Sequence, residues 1–267
     1  MQISPDLAFI LSLALRMAIA AAFVVTASIL TERSGPVIGA LITTLPISAG
    51  PSYVFLALDH DASFIAQGAL SSLPVNAATM FMALTYANLA QRHTSAVSAG
   101  GAIAVWATLA GLERLVPWSL TGGLVANAIA FAVCLPLLRR FQHVRMMPLI
   151  TRRWYDIPMR ATMVATLVAI VVSLSRWVGP FVSGMIALFP VVFTSVMLIL
   201  HPRIGGPATA AVVANGGWGL MGFALGIVVI HVAAVPLGSA IALSLALATC
   251  VAWNLGLWWL GRRKVVR

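Results

Sequence analysis

Two arginines, Arg16 and Arg160, stand inside stretches otherwise made of apolar residues. A guanidinium in such a place needs a partner. At the centre of a membrane helix it costs about 3 kcal/mol on insertion scales and 10 or more in simulations. Its planar fork grips a carboxylate or phosphate with two hydrogen bonds. Near the two arginines and the prolines discussed below lie neutral hydrogen-bonding side chains: Thr43, Thr44, Ser48, Gln67, Ser71, Ser72, Asn76, Thr194, Ser195 and Asn215. Together they can hold a small charged solute. Bond-breaking chemistry is not indicated, because no nucleophile stands beside a base. The five histidines, His60, His93, His143, His201 and His231, are scattered singly, without a second ligand three or four residues away, so no metal or cofactor is expected. Each residue also has a purely structural reading. Arg16 can reach outward or cap carbonyls freed by Pro46, Arg160 can pair with Asp156 four residues before it, and serine and threonine commonly bond their own helix.

The scarce residues recur at one offset. Arg16, Gly35, Pro36 and Pro46 reappear 144 positions later as Arg160, Gly179, Pro180 and Pro190. Apolar identities such as Val24 and Val168 fall on the same register, but the four scarce pairs are what make a duplication credible. Residues 1–144 form the first unit and 145–267 the second. An odd number of crossings in the first unit turns the second upside down, which gives an inverted repeat with its pseudo-two-fold axis in the membrane plane, a common plan among transport folds.

Of the 267 residues, 61% are apolar and 8% charged, with a mean hydropathy of +1.02, so the solvent of this chain is lipid. Crossing a hydrocarbon core of about 30 Å takes about 20 helical residues. Nine apolar runs are long enough to read as helices: 7–30, 36–57, 62–90, 95–112, 119–137, 157–175, 180–200, 206–230 and 236–260. The expected fold is therefore all-α and membrane-integral, with about nine transmembrane helices in a five-plus-four inverted repeat.

Charge sets the orientation. With the N-terminus outside, twelve Lys and Arg residues fall in cytoplasmic loops and only Arg114 and Arg176 outside, Arg16 and Arg160 being set aside within helices. This predicts a periplasmic N-terminus and a cytoplasmic C-terminus in a bacterial inner membrane. The net charge of +10 lies mostly on short loops beside helix ends, where it attracts anionic lipid, and no motif of a nucleic-acid binder accompanies it. The expected partners are the bilayer, a small-molecule solute and a second copy of the chain. Cys134 and Cys250 read as small apolar core residues.

The prolines and glycines say where the helices begin and break. Gly35-Pro36 and Gly179-Pro180 follow short polar turns and mark helix starts, where proline loses no hydrogen bond. Pro46 and Pro190 come ten residues later, about 15 Å along a helix and near the bilayer middle, where each should break its helix. Further breaks are predicted at Pro74 in the third helix and at Gly216-Gly217 in the eighth. Irregular backbone at membrane depth is tolerated only where protein or a water-filled cavity covers it. Helices two, three, seven and eight should therefore line one central cavity.

The stretch GPVIGALITTLPISAG, followed by a polar turn and the third helix, resembles the half-length unit of GlpM-like small bacterial inner-membrane proteins. That resemblance implies a small inner-membrane protein and no particular activity. The five-helix inverted repeat looks like the architecture of bile-acid-transporter-type and drug/metabolite-transporter-type carriers. The expected function is secondary transport of a small anionic or zwitterionic solute by alternating access, with a non-transporting membrane scaffold or accessory subunit as the alternative. The paucity of carboxylates in the apolar runs weighs against cation transport and against an enzyme.

Overall fold

The computed structural model describes residues 5–33, 45–143 and 153–265. Among these, the chain forms nine helices and no strand: α1 Pro5–Arg33, α2 Ala49–Asp59, α3 Ala62–Leu89, α4 Ser95–Glu113, α5 Leu120–Arg139, α6 Asp156–Ala187, α7 Val191–Ile204, α8 Gly206–Leu237 and α9 Ser239–Val265. Six of them, α1, α4, α5, α6, α8 and α9, are long and apolar enough to cross a membrane. The protein is an α-helical, multi-pass membrane protein.

The other three helices fall outside that group for two reasons. With 11 and 14 residues, α2 and α7 extend only about 16 and 21 Å, too short to cross alone. The 28 residues of α3 are long enough, but this helix faces protein on most sides and carries Gln67, Ser71, Ser72, Asn76 and Thr79 along its middle. It packs against α4, α5, α6 and, most extensively, α8. Its buried Ser71, Ser72, Asn76 and Thr79 all find protein partners. By contrast α1 turns Ile10, Leu15, Ile19 and Phe23 outward, each about half exposed or more, as a lipid-facing helix should.

Short turns are closed by side chains. Asp61 accepts the Phe64 N–H at 2.8 Å and so caps α3, while Ser119 accepts the Gly122 N–H at 3.1 Å and caps α5. Within α6 the backbone leaves the helix at Gly179, with φ 73° and ψ 179°, a combination open essentially to glycine alone. Helix resumes at Pro180, and Ser183 donates to the Gly179 carbonyl at 2.7 Å. Residues 180–187 thus form a short arm that ends at Leu188.

Two expected breaks are absent. Helix α3 runs on through Pro74 and α8 runs on through Gly216 and Gly217. Proline is tolerated inside a membrane helix where neighbours supply replacement partners. Here α3 is enclosed by α4, α5, α6 and α8, and Asn127 of α5 donates to the Leu73 carbonyl at 2.6 Å, which ties the two helices together beside the proline. The two glycines serve close packing: a Cβ on Gly216 would stand 3.1 Å from the Phe193 ring, and one on Gly217 would stand 3.3 Å from Leu135.

Candidate functional site

The chain leaves helical geometry between Ala187 and Val191, and Leu45–Ser48 form a second non-helical stretch just before α2. Pro190 has φ −78° and ψ 65°, the geometry of an inverse γ-turn, and the Val191 N–H bonds back to the Phe189 carbonyl at 2.8 Å. Proline suits this turn because its ring holds φ near −65° and it has no N–H with which to continue a helix. The Ile186 carbonyl, deprived of its usual partner by Pro190, is taken up by the Phe189 N–H at 2.9 Å. Thr194 N–H then bonds to the Pro190 carbonyl at 2.9 Å and starts α7. The same bonds recur 144 residues earlier: Ile47 N–H to Leu45 at 2.7 Å and Gly50 N–H to Pro46 at 2.8 Å.

A cavity of about 300 Å³ opens between these two turns. Leu45, Pro46, Ser48 and Ala49 line one side; Leu188, Phe189, Pro190, Val192 and Phe193 line the other. Asn76 and Thr79 of α3, Arg160 of α6, and the α8 stripe Val212, Val213, Gly216, Gly219, Leu220 and Phe223 complete the wall. Both α2 and α7 begin at this cavity, so their N-terminal N–H groups and positive dipole ends lie at it. Among the described lining residues, Arg160 is the cationic one. It stands one turn on from Asp156, close enough for its charge to act on that carboxylate.

The polar lining groups differ in what they have left to offer. Asn76 donates through Nδ2 to Asn127 Oδ1 at 2.8 Å and to the Leu220 carbonyl at 3.2 Å, while its buried Oδ1 accepts no hydrogen bond. Thr79 donates to the Val75 carbonyl at 3.1 Å and accepts from the Trp106 indole at 3.3 Å. Ser48 makes no side-chain capping bond at the start of α2. Phe189 is held edge-to-face against Trp106, with ring centroids 5.2 Å apart.

Several residues expected at the site lie elsewhere. Arg16 does not line the cavity: its guanidinium forms a two-pronged ion pair with Asp59 at the end of α2, with Nη2 2.7 Å from Oδ1. The apolar run hid a partner reachable only across the fold. Asp156, the partner expected for Arg160, is gripped in the same two-pronged way by Arg203. Gln67 is exposed, and so is Asn215, which donates to the Ala211 and Gln142 carbonyls. Ser71 donates to the carbonyls of Gly68 and Phe181, both at 2.8 Å, and Ser72 to that of Gly184 at 2.9 Å, so both pin α3 to the 180–187 arm. Ser195 bonds its own helix at Val192, and Thr194 is buried outside the lining with no partner for its hydroxyl. Thr43, Thr44, Gly35 and Pro36 lie outside the described residues.

Thr79 and the aromatic wall of Phe189, Phe193 and Phe223 escaped the sequence reading. A signal was there: Thr79 follows Asn76 by three residues, Phe193 follows Phe189 by four, and 212, 216, 219 and 223 fall on one helical stripe. Among the described residues, no three His, Cys, Asp or Glu side chains gather in a way that could hold a metal ion. No family model, curated protein or solved structure matches this chain.

Proposed function

We propose that the chain is a bacterial inner-membrane secondary transporter for a small anionic or zwitterionic solute, rather than an enzyme, and that it works by alternating access around the central cavity. The observation that carries this reading is the cavity of about 300 Å³ between two proline turns of matching hydrogen-bond pattern, with Arg160 in its wall. Half-helices that begin at a central cavity direct N–H groups and positive dipole ends toward an anion, the arrangement transporters use for solute carboxylates. The 144-residue recurrence of these bonds supports a repeat, and the distribution of Lys and Arg supports a periplasmic N-terminus and a cytoplasmic C-terminus.

One observation favours the scaffold reading: Arg16, Ser71 and Ser195, all expected to serve a solute, are bound to structural partners. The test is flux of labelled carboxylates, sulfonates, phosphates and amino acids into vesicles reconstituted with the purified protein. Uptake above that of empty vesicles, lost in Arg160→Gln, supports transport. No flux for any solute, together with co-purification of a stoichiometric partner from the native membrane, overturns it in favour of the scaffold.

A further inference from the structure

The turn between α4 and α5 reads Arg114-Leu115-Val116-Pro117-Trp118. Helix α4 has 19 residues and α5 has 20, so each is about 30 Å long, the thickness of a hydrocarbon core. The turn that joins them lies at the level of the lipid headgroups. Its apolar residues agree: Leu115 is 79% exposed and Val116 46%, which is unfavourable in water and ordinary at the edge of the hydrocarbon. Trp118 suits the same level, since membrane interfaces are enriched in tryptophan. Its indole N–H donates to the Glu113 carbonyl at 2.8 Å and its ring lies against Gly122, so it is held in place.

A hollow of about 330 Å³ opens beside this turn, lined by residues 114–118, by Leu70 of α3 and by Phe181 of the 180–187 arm. Arg114 is exposed there, and among the described residues none gives it a hydrogen bond or an ion pair, although Glu113 precedes it. The other arginines near this end are provided for: Arg16 is held by Asp59, and Arg176 lies over the Phe9 ring.

A guanidinium at the edge of the hydrocarbon gains most from an anion at its own depth, and a phosphate fits its fork with two hydrogen bonds. A phospholipid brings that phosphate already joined to apolar chains. We propose that the hollow is a phospholipid site, in which Arg114 holds the headgroup phosphate while Leu70, Leu115, Val116 and Phe181 take the start of an acyl chain. Diacylglycerol offers the chains but leaves Arg114 without its anion. A soluble phosphate ester offers the anion but leaves the apolar wall unused. The bound lipid touches α3, the α4–α5 turn and the arm together, and so braces the arm close to the bend at Gly179. The site does not depend on the chain being a transporter.

The test is photolabelling of the purified full-length protein in an uncharged detergent. The probe is phosphatidylglycerol with a diazirine near the head of one acyl chain, the control is diacylglycerol with the same chain, and adducts are mapped by peptide mass spectrometry. Residues 114–118 and Phe181 should take at least about tenfold more label from the phospholipid than from diacylglycerol, the scale of one hydrogen bond to a charged group. Excess unlabelled phosphatidylglycerol should remove that label, and glycerol phosphate at the same concentration should not. Arg114→Gln should lower phospholipid labelling to the diacylglycerol level, while Arg176→Gln, at the same end, should leave it unchanged. If Arg114→Gln does not fold, the two probes on the wild type decide. Equal labelling by the two probes, or full labelling of Arg114→Gln, overturns the proposal, because the hollow then meets bulk lipid without recognising its phosphate. Displacement by glycerol phosphate also overturns it, in favour of a soluble phosphate ester.

Discussion

Asn76 of α3 donates a 3.2 Å hydrogen bond to the main-chain carbonyl of Leu220 of α8, the residue that stands 144 positions further along the chain. Two positions related by the sequence offset therefore touch each other. The contact lies where α3 and α8, the most extensively packed pair of helices, cross. Both helices run unbroken through this region, past Pro74 and past Gly216-Gly217.

The amide pair at this crossing should be costly to split. Replacing Asn127 by Ala removes the acceptor of one Asn76 N–H and the donor to the Leu73 and Gly123 carbonyls. Leaving buried polar groups unpaired costs about 2 kcal/mol. The expected result is a Tm drop of roughly 4–8 °C in detergent, with Asn76→Leu combined with Asn127→Leu less destabilised than the sum of its single variants. Strict additivity would show that the two amides act independently.

The glycines that meet across α3 and α6 set a hard steric limit. A Cβ on Gly184 would stand 2.1 Å from the Gly68 carbonyl oxygen, whereas one on Gly50 would meet nothing within 4 Å. Overpacking against backbone costs about 3 kcal/mol or more. Gly184→Ala should therefore lower Tm by roughly 6–12 °C or more, and Gly50→Ala should leave it unchanged or raise it, because alanine favours the helix. Equal Tm values for the two variants would mean that the close approach is not rigid.

The turn after α2 carries a pH dependence. His60 Nε2 lies 2.9 Å from Ser175 Oγ, and its ring stacks on Phe64 at 3.8 Å. Burial pushes the imidazole below its ordinary value of 6.5, aided by Arg176 and opposed by Asp59 and Asp61. The unfolded chain then takes up the proton first as the pH falls, so stability present above pH 6.5 is lost as the pH drops through the lower folded value. The Tm of the wild type should fall between pH 7.5 and 5 by more than that of His60→Gln. Parallel pH profiles would sink the assignment.

The breaks were legible because proline and glycine have few alternatives: no other residue combines a fixed φ with a missing N–H, and Gly179 sits where only glycine fits. Pro46 and Pro190 accordingly lie at the cavity. Arg16 was misread because its partner Asp59 lies 43 residues away, and a long apolar run says nothing about which loop carboxylate folds back over it. The structural alternative for Arg160, a pair with Asp156 at i, i+4, is obvious in sequence, whereas Arg203, which grips that carboxylate, is brought close only by tertiary packing. Pro74 looked like a break because propensity predicts one, and the packing of α3 on four neighbouring helices overrode it.

The two ion pairs join the ends of the bundle in a reciprocal way. Arg16 of α1 holds Asp59 at the end of α2, and Asp156 of α6 holds Arg203 near the end of α7. Arg203 stands 144 positions beyond Asp59, so two positions related by that offset carry opposite charge. His60, Ser175 and the Arg176–Phe9 contact cluster near the first pair; Tyr86 and His201 cluster with the second at the other end. Both pairs are formed together here, and under the proposed alternating access opening either end would separate its own pair. Removing one partner of a half-buried pair costs about 2 kcal/mol, enough to shift an opening equilibrium roughly thirtyfold. The measurement is the labelling rate of Phe193→Cys in the cavity wall by an impermeant thiol reagent added from one side, with Cys134 and Cys250 replaced by Ala. Arg16→Gln should speed labelling from the side of the α1 N-terminus only, and Arg203→Gln from the opposite side only. Exchanging the charges, Arg16→Asp with Asp59→Arg, should restore the slow rate. If each variant instead lowers Tm while labelling from both sides stays unchanged, the pairs brace the helices and take no part in access.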